Sequence, residues 1–304
     1  MTGGDQAKQF GRILLLLDVT SDAAPALESA AAMAARLDAP LVTLFVDDGR
    51  IERLEGHPST RTIELPTGLG GAVEHGALQR SWRAMARRMQ QQLAELARRH
   101  RLEAHFDLLR DDVRRRLQEL TDASDLMVVA SSGRTVTGHV RVESRGHAMG
   151  CGLSGSVVFV GSQRRRINSV VAVYDGSPRA SAGLDTALQM AAGPNVMLTL
   201  LLIGETADDV DGLRGEVVDK IRRRQIRVRP HIRRITCCAT DEIVRSASNV
   251  HANFVVVPSS DEYPQDAEIG ELMRRLDCPL LVVRTGMSTE DEVSIEEAVE
   301  PRQV

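Results

Sequence analysis

The chain is 304 residues long, with 42% hydrophobic and 26% charged residues. These values are ordinary for a globular protein, and the length suits two domains of average size. The net charge of -4 and the aromatic content of 3% argue against a nucleic-acid-binding surface, which needs positive charge and aromatic stacking platforms.

Neither a membrane span nor a disulfide framework is indicated. The longest apolar run near the amino terminus, Ile13–Leu17, is far shorter than the roughly 20 residues of a membrane helix, and it does not have the form of a signal peptide. The four cysteines lack CxxC spacing, which favours reduced thiols and a cytoplasmic location. They are Cys151, Cys237, Cys238 and Cys278.

One pattern occurs twice in the chain: an apolar strand, a turn, an alanine-rich helix and a second apolar strand. A shift of 157 positions lays residues 13–46 over residues 170–203 without a gap and matches Asp18 with Asp175. Because an internal repeat indicates a duplicated structural unit, we interpret the chain as two α/β domains. We place them at residues 11–162 and 168–285, followed by the acidic segment 286–304, which is predicted to be disordered.

The first domain begins with the strand Ile13–Leu17. This strand has no polar alternation, which is typical of a parallel strand covered by helices on both faces. A helix that ends before Pro40 and a right-handed crossover then make the next strand parallel to it. The remaining predictions are a strand at 41–46, a helix from Leu78, a strand at 104–109, a helix at 112–123, and strands at 126–130 and 157–160.

Two surfaces of the first domain leave alternatives open. The long connection 47–76 is either a lid or partner surface, or an irregular excursion packed on its own domain. The helix after it has a buried apolar stripe with arginines mostly away from it, which fits either an anionic partner or a solvated basic face. The arginines are Arg80, Arg83, Arg87, Arg88, Arg98 and Arg99.

The second domain repeats this order without the long connection. After residues 170–203 we predict a helix at 208–224, a strand at 226–235, a helix at 241–250, and strands at 254–257 and 280–283. The junction 162–168 contains three adjacent arginines, which we interpret as a hydrated linker because no aromatic platform accompanies them.

Two five-stranded units, each with Asp18 or Asp175 at the end of its first strand and a VVA or VVV fourth strand, resemble the universal stress protein family in tandem form. The resemblance implies flavodoxin-like domains with strand order 3-2-1-4-5 that pair through their fifth strands. Residues 157–160 and 280–283 would then meet inside the chain about a pseudo-two-fold, with a homodimer of such chains left open. We expect two separate sheets, and a single undivided sheet would contradict the duplication.

Nucleotide-binding members of this family carry G-x2-G-x9-G-[ST] after the fourth strand, where glycines let backbone amides approach phosphate. The resemblance places Ala130 and Gly133 at the first two glycines, Glu143 at the third, and Ser144 at the hydroxyl position. At about 5 Å and an effective dielectric near 20, Glu143 would repel a phosphate charge by about 3 kcal/mol, or roughly a hundredfold in affinity.

The second domain departs further from this motif. The same count puts Pro258 and Asp261 at the first two glycines, and the segment is about five residues too short to supply the third. By resemblance, the first domain keeps Asp18 and Val46 beside the adenine and ribose positions, and Arg134 would offset Glu143. Asp18 and Asp175 are also suited to capping the helices that follow them, and a structural role is the default interpretation of Asp18.

Three other candidate motifs do not predict a binding site, because their position or spacing in the chain is wrong. The GxGxxG at residues 150–155 precedes a strand instead of following one, and residues 133–138 lack the lysine of a phosphate loop. His139, His147 and Cys151 are too widely spaced to predict a metal site.

Three functional hypotheses remain. The first is a cytoplasmic regulatory or interaction module, without catalysis or a required cofactor, that binds an unknown protein partner. The alternative is a stress sensor that binds ATP or AMP in the first domain only. The third is a hydrolase or transferase of the wider adenine-binding α/β group.

Overall fold

A computed structural model of the chain describes residues 10–17, 23–47, 61–63, 70–72, 76–110, 113–122, 124–130, 155–161, 166–204, 206–224, 226, 228–235, 240–260 and 263–284. The strands of the first half are β1 (Ile13–Leu17), β2 (Leu41–Asp47), β3 (Arg61–Ile63), β4 (Gly70–Ala72), β5 (Ala104–Arg110), β6 (Leu126–Ala130) and β7 (Ser156–Val160). Its helices are α1 (Ala23–Leu37), α2 (Ala77–His100) and α3 (Val113–Leu120).

The second half has β8 (Ser169–Tyr174), β9 (Met197–Ile203), β10 (His231–Ile235), β11 (Phe254–Pro258) and β12 (Leu280–Val283). Its helices are α4 (Pro178–Ala191), α5 (Ala207–Arg223), α6 (Thr240–Asn249) and α7 (Asp266–Arg275).

Ten of the described strands form one sheet in the order β10-β9-β8-β11-β12-β7-β6-β1-β2-β5. Within each half this is strand order 3-2-1-4-5, and the pairs inside each half are parallel. The predicted flavodoxin-like order is therefore confirmed. The sequence of strands reads the same from either end of the sheet, as a pseudo-two-fold between the halves requires.

The halves meet at an antiparallel seam between β7 and β12. Leu280 lies opposite Phe159, and Val282 lies opposite Val157. Each of these side chains is at most 2% exposed. The predicted fifth-strand pairing is confirmed, and it makes the sheet continuous. Our expectation that an undivided sheet would contradict duplication was wrong, because fifth-strand pairing itself joins the two sheets. The limits of the domains stay a prediction.

Helices cover both faces of the sheet. On one face α1, α2, α4 and α5 pack on a core cluster that draws residues from both halves. On the other face α3, α6 and α7 pack on a second cluster, which also crosses the seam. Burial of each of these large aliphatic side chains contributes about 1.5–3 kcal/mol, so we expect the continuous cores to couple the halves energetically.

Arg36 links the two halves across the first face. It lies in the last turn of α1, and its guanidinium donates to the carbonyl oxygens of Met190, near the end of α4, and Ile167, the latter at 3.2 Å. A cation at the carboxyl end of a helix satisfies free carbonyls and opposes the helix dipole. Burial and the nearby Arg166 lower the pKa of Arg36.

A buried ion cluster joins α4 to α5. Asp185 Oδ2 lies 3.0 Å from Lys220 Nζ and 3.0 Å from Arg224 Nη2, and its side chain is only 11% exposed. Lys220 also donates to the carbonyl oxygen of Ser181 at 2.9 Å. Removal of the shared anion would leave two cations close together in a partly buried position.

We expect Asp185→Asn to lower the free energy of unfolding by about 1–3 kcal/mol, because charge-assisted hydrogen bonds are lost. Urea unfolding measures this value. The matched control is Asp219→Asn, since Asp219 is 59% exposed and lies 3.6 Å from Arg222. We expect that control to change stability by less than about 0.5 kcal/mol. Equal losses in the two variants would show that the cluster adds nothing.

Several predicted boundaries were wrong, and three elements were missed, namely two short strands and one helix. The strand predicted at 226–235 begins only at His231, since Pro230 has no N–H to donate to a ladder. The helix predicted at 112–123 ends at Leu120. The hairpin of β3 and β4 lies inside the segment 47–76, and most of that segment lies outside the described residues.

Helix α7 was also missed. Gln265 caps it in a reciprocal pair with Glu268, whose carboxylate accepts from the Gln265 N–H at 3.0 Å. Gln is a rare cap, so the usual signal of a helix start was absent. The predicted tail 286–304 lies outside the described residues.

Candidate functional site

The doubly wound topology creates two equivalent crevices. Strand order reverses between the first and fourth strands of each half, and ligands of such sheets bind outside the carboxyl ends of the strands at that point. In the first half this is the edge where β1 and β6 end, with β2 beside them. In the second half it is the edge where β8 and β11 end, with β9 beside them.

In the first half, two of the predicted ligand positions are described. Val46 is 8% exposed and belongs to one core cluster, whereas Ala130 is 3% exposed and belongs to the other. Their side chains therefore pack on opposite faces of the sheet, on the two strands that flank β1. Asp18, Gly133, Arg134, Glu143 and Ser144 lie outside the described residues, so their part in a site stays a prediction.

In the second half, the turn after β8 is fully described. Asp175 Oδ1 accepts from the Ser177 N–H at 2.9 Å, which is an Asx turn, and Ser177 Oγ accepts from the Ala180 N–H at 3.1 Å. Ser177, and not Asp175, is therefore the cap of α4, with Pro178 in its first turn. Sequence reasoning assigned capping to the aspartate position; the Ser-Pro pair is the signal that identifies the true cap.

Gly176 is required in that turn. Its φ is +81°, and a Cβ atom there would lie 2.9 Å from Leu213 Cδ2 of α5. Tyr174 closes the same side, because its hydroxyl donates to Glu216 at 2.8 Å. Burial, and then this hydrogen bond, raise the pKa of Tyr174. Helix α5 thus packs closely against the end of the first strand.

In the loop after β11, the backbone N–H groups of Ser259, Ser260 and Tyr263 all donate hydrogen bonds within the protein. The Ser259 N–H donates to Val283 O at 2.8 Å, and the Ser260 N–H donates to Tyr263 O at 2.7 Å. The Tyr263 N–H donates to Ser260 Oγ at 3.0 Å. In a phosphate site these amides would point at the ligand. Here they donate to acceptors in the loop itself and in the neighbouring strand β12.

Arg179 spans the crevice of the second half. Its Nη1 donates to the carbonyl oxygen of Ser259 at 2.9 Å, from the first turn of α4 to the end of β11. Its side chain is partly buried. Sequence reasoning missed this contact, since its partners are separated by 80 positions and no motif connects them.

The remaining chemistry-bearing residues form no cluster in the described part of the chain. No group of three or more His, Cys, Asp or Glu side chains there is arranged to hold a metal ion. Cys278 is a partly buried thiol, and the other three cysteines lie outside the described residues. None of the helices in the described residues has the length and apolar character to span a membrane.

Solved structures match almost the whole chain. A universal stress protein from Archaeoglobus fulgidus superposes with a TM-score of 0.62 at 14% identity, over 92% of this chain and 99% of that one. A putative universal stress protein from Pseudomonas aeruginosa gives 0.57 at 12% identity, over 91% and 95%. This chain has the universal stress protein fold. The resemblance in sequence is thereby confirmed at the level of the fold.

The chain is also similar to a domain of a cotransporter. The cytoplasmic domain of a prokaryotic cation chloride cotransporter superposes on the chain with a TM-score of 0.55 at 9% identity, over 93% of this chain and 99% of that one. The sequence itself matches no protein-family model and no curated protein. Since fold similarity at such low identity does not define activity, the function follows from the site.

Proposed function

We propose that the chain is a universal-stress-protein-like regulatory or interaction module in the cytoplasm, without catalysis, whose second half does not bind nucleotide. The observation that carries the proposal is the closed loop after β11. Its described amides are already bonded within the protein, and Arg179 crosses to Ser259. A triphosphate would have to break these hydrogen bonds before the amides became donors to it.

The first half supports weak nucleotide binding at most. By resemblance its phosphate loop keeps Gly133 and Ser144, but Ala130 and Glu143 replace two glycines. Ala130 is 3% exposed and packed in the core, so its side chain can offer a ligand only van der Waals contact and no hydrogen bond. The alternative function is a sensor that binds ATP or AMP there through Asp18, Val46, Gly133, Arg134 and Ser144.

Calorimetry of the purified full chain with ATP and Mg²⁺, and with AMP, tests this proposal. We expect no binding at micromolar affinity and no turnover of ATP or of phosphate esters. Micromolar binding with one nucleotide per chain that disappears in Gly133→Asp would instead establish the first-domain sensor.

The second half needs a separate variant. We expect Arg179→Ala to leave ATP binding unchanged, because the amides of the loop after β11 stay satisfied. Thermal unfolding confirms that the variant is folded. A new binding event in Arg179→Ala, retained when combined with Gly133→Asp, would show that Arg179 alone blocks a nucleotide site, and the proposal for the second half would then be wrong.

A further inference from the structure

The exposed face of α2 is strongly basic. We call this face the basic surface and define it by Arg80, Arg83, Arg87, Arg88, Arg98 and Arg99, all of which are exposed. The opposite face packs into the core through Trp82, Met89, Leu93 and Leu96. The 24-residue helix has a single acidic residue, Glu95. The predicted arrangement of buried stripe and exposed arginines is confirmed for the side chains described.

Three of the six arginines of the basic surface have no paired carboxylate in the described part of the chain. Arg98 pairs with Glu95 at 2.5 Å. Arg87, Arg88 and Arg99 have no ion-pair partner among the residues that the structure describes. Arg83 and Arg87 are four residues apart, where like charges destabilise a helix by a few tenths of a kcal/mol. A polyanion laid along the helix would relieve this repulsion.

The chain itself contains such a polyanion. The terminal segment 285–304 has six carboxylates and one arginine, a net charge of -5, so the rest of the chain carries +1 of the total of -4. Its acidic residues are Glu290, Asp291, Glu292, Glu296, Glu297 and Glu300. Nucleic acid fits the basic surface less well, because Trp82 of α2 is only 5% exposed and cannot stack on a base.

Strand β12, which precedes the acidic segment, ends at the same edge of the sheet as α2. The Arg284 N–H donates to Ser156 Oγ at 3.3 Å, so the chain exits beside the start of β7. The carboxyl end of α2 lies at the same edge, since it precedes β5 and Glu103 O accepts from the Leu41 N–H at 2.9 Å. The segment follows β12, and five strand spacings separate β12 from β5, which is about 24 Å.

The length of the segment is sufficient for this distance. An extended chain spans about 3.3 Å per residue, so the eight residues from 285 to 292 would be long enough to cover about 26 Å. The carboxylates from Glu292 to Glu300 could then reach Arg98 and Arg99 and the arginines further along the helix. A short tether also gives the segment an effective concentration in the millimolar range.

We propose that the acidic segment 286–304 binds the basic surface of α2 in the same chain. The contact is electrostatic, so salt weakens it. An acidic peptide from elsewhere would have to displace the segment to reach the basic surface. This inference does not depend on the nucleotide-binding state of either half.

The test uses the full chain and a fluorescein-labelled peptide of residues 286–304 as the probe. In one variant the six carboxylates of the segment are replaced by the corresponding amides, which frees the basic surface without altering its arginines. We expect fluorescence anisotropy to show peptide binding to this variant at least about tenfold tighter than to the wild-type chain, and lost at high salt.

Two further variants locate the contact. In the amidated background, Arg87→Gln, Arg88→Gln and Arg99→Gln together abolish peptide binding, whereas the control Arg222→Gln with Arg223→Gln on α5 retains it. All five arginines are exposed, and unfolding midpoints verify that both variants are folded. Equal peptide affinity for wild type and the amidated chain, or loss of binding in the α5 control alone, overturns the proposal. So does a labelled oligonucleotide that binds wild type tightly through the α2 arginines.

Discussion

Glu143→Gly is expected to raise the affinity of the full chain for ATP by about a hundredfold. The estimate follows from the repulsion of about 3 kcal/mol between a carboxylate and a phosphate charge about 5 Å apart at an effective dielectric near 20. It rests on the register that aligns Ala130, Gly133, Glu143 and Ser144 with the phosphate-loop motif of nucleotide-binding universal stress proteins. Calorimetry with ATP and Mg²⁺ on wild type and variant measures the ratio.

Two companion variants separate the causes. Glu143→Gln removes the charge but keeps the side chain, so it measures the electrostatic part of the gain. Gly133→Asp added to Glu143→Gly should cancel the gain, because it places a new carboxylate in the same loop. If Glu143→Gly binds ATP no more tightly than wild type, the register is wrong or the first half has lost the nucleotide site altogether.

The repeat and the resemblance predicted the arrangement of the strands correctly because the features that decide it are local. Unbroken apolar runs indicate strands that are buried on both faces. In the run Ile13–Leu17, all five side chains are buried. The pairing of the fifth strands followed from the family resemblance, and Phe159 and Leu280 do lie opposite each other.

The features missed in the second half depend on contacts between distant positions. Arg179 reaches Ser259, and Asp185 gathers Lys220 and Arg224, over separations that no spacing rule covers. The closure of the loop after β11 is equally hidden, since the Ser259 N–H bonds to a strand that follows it. From its missing glycines the sequence predicts that this loop does not bind nucleotide, but it does not predict the hydrogen bonds that close the loop.

Phe159→Ala is expected to lower the free energy of unfolding by about 3–5 kcal/mol and to do so for both halves together. Phe159 is 2% exposed, lies in β7 at the seam and has no room to relax without leaving a cavity. The chain has one tryptophan, Trp82, in the first half and two tyrosines, Tyr174 and Tyr263, in the second. Urea unfolding followed by tryptophan fluorescence and by tyrosine near-ultraviolet signals therefore reports each half separately.

A second variant distinguishes coupled from independent halves. Met89→Ala creates a cavity in α2 of the first half, away from the seam, and should cost about 2–5 kcal/mol. Because the sheet and both core clusters cross the seam, we expect the tyrosine transition of this variant to move together with that of Trp82. If only the Trp82 transition moves, the halves unfold independently, and the continuous sheet does not make the chain one cooperative unit.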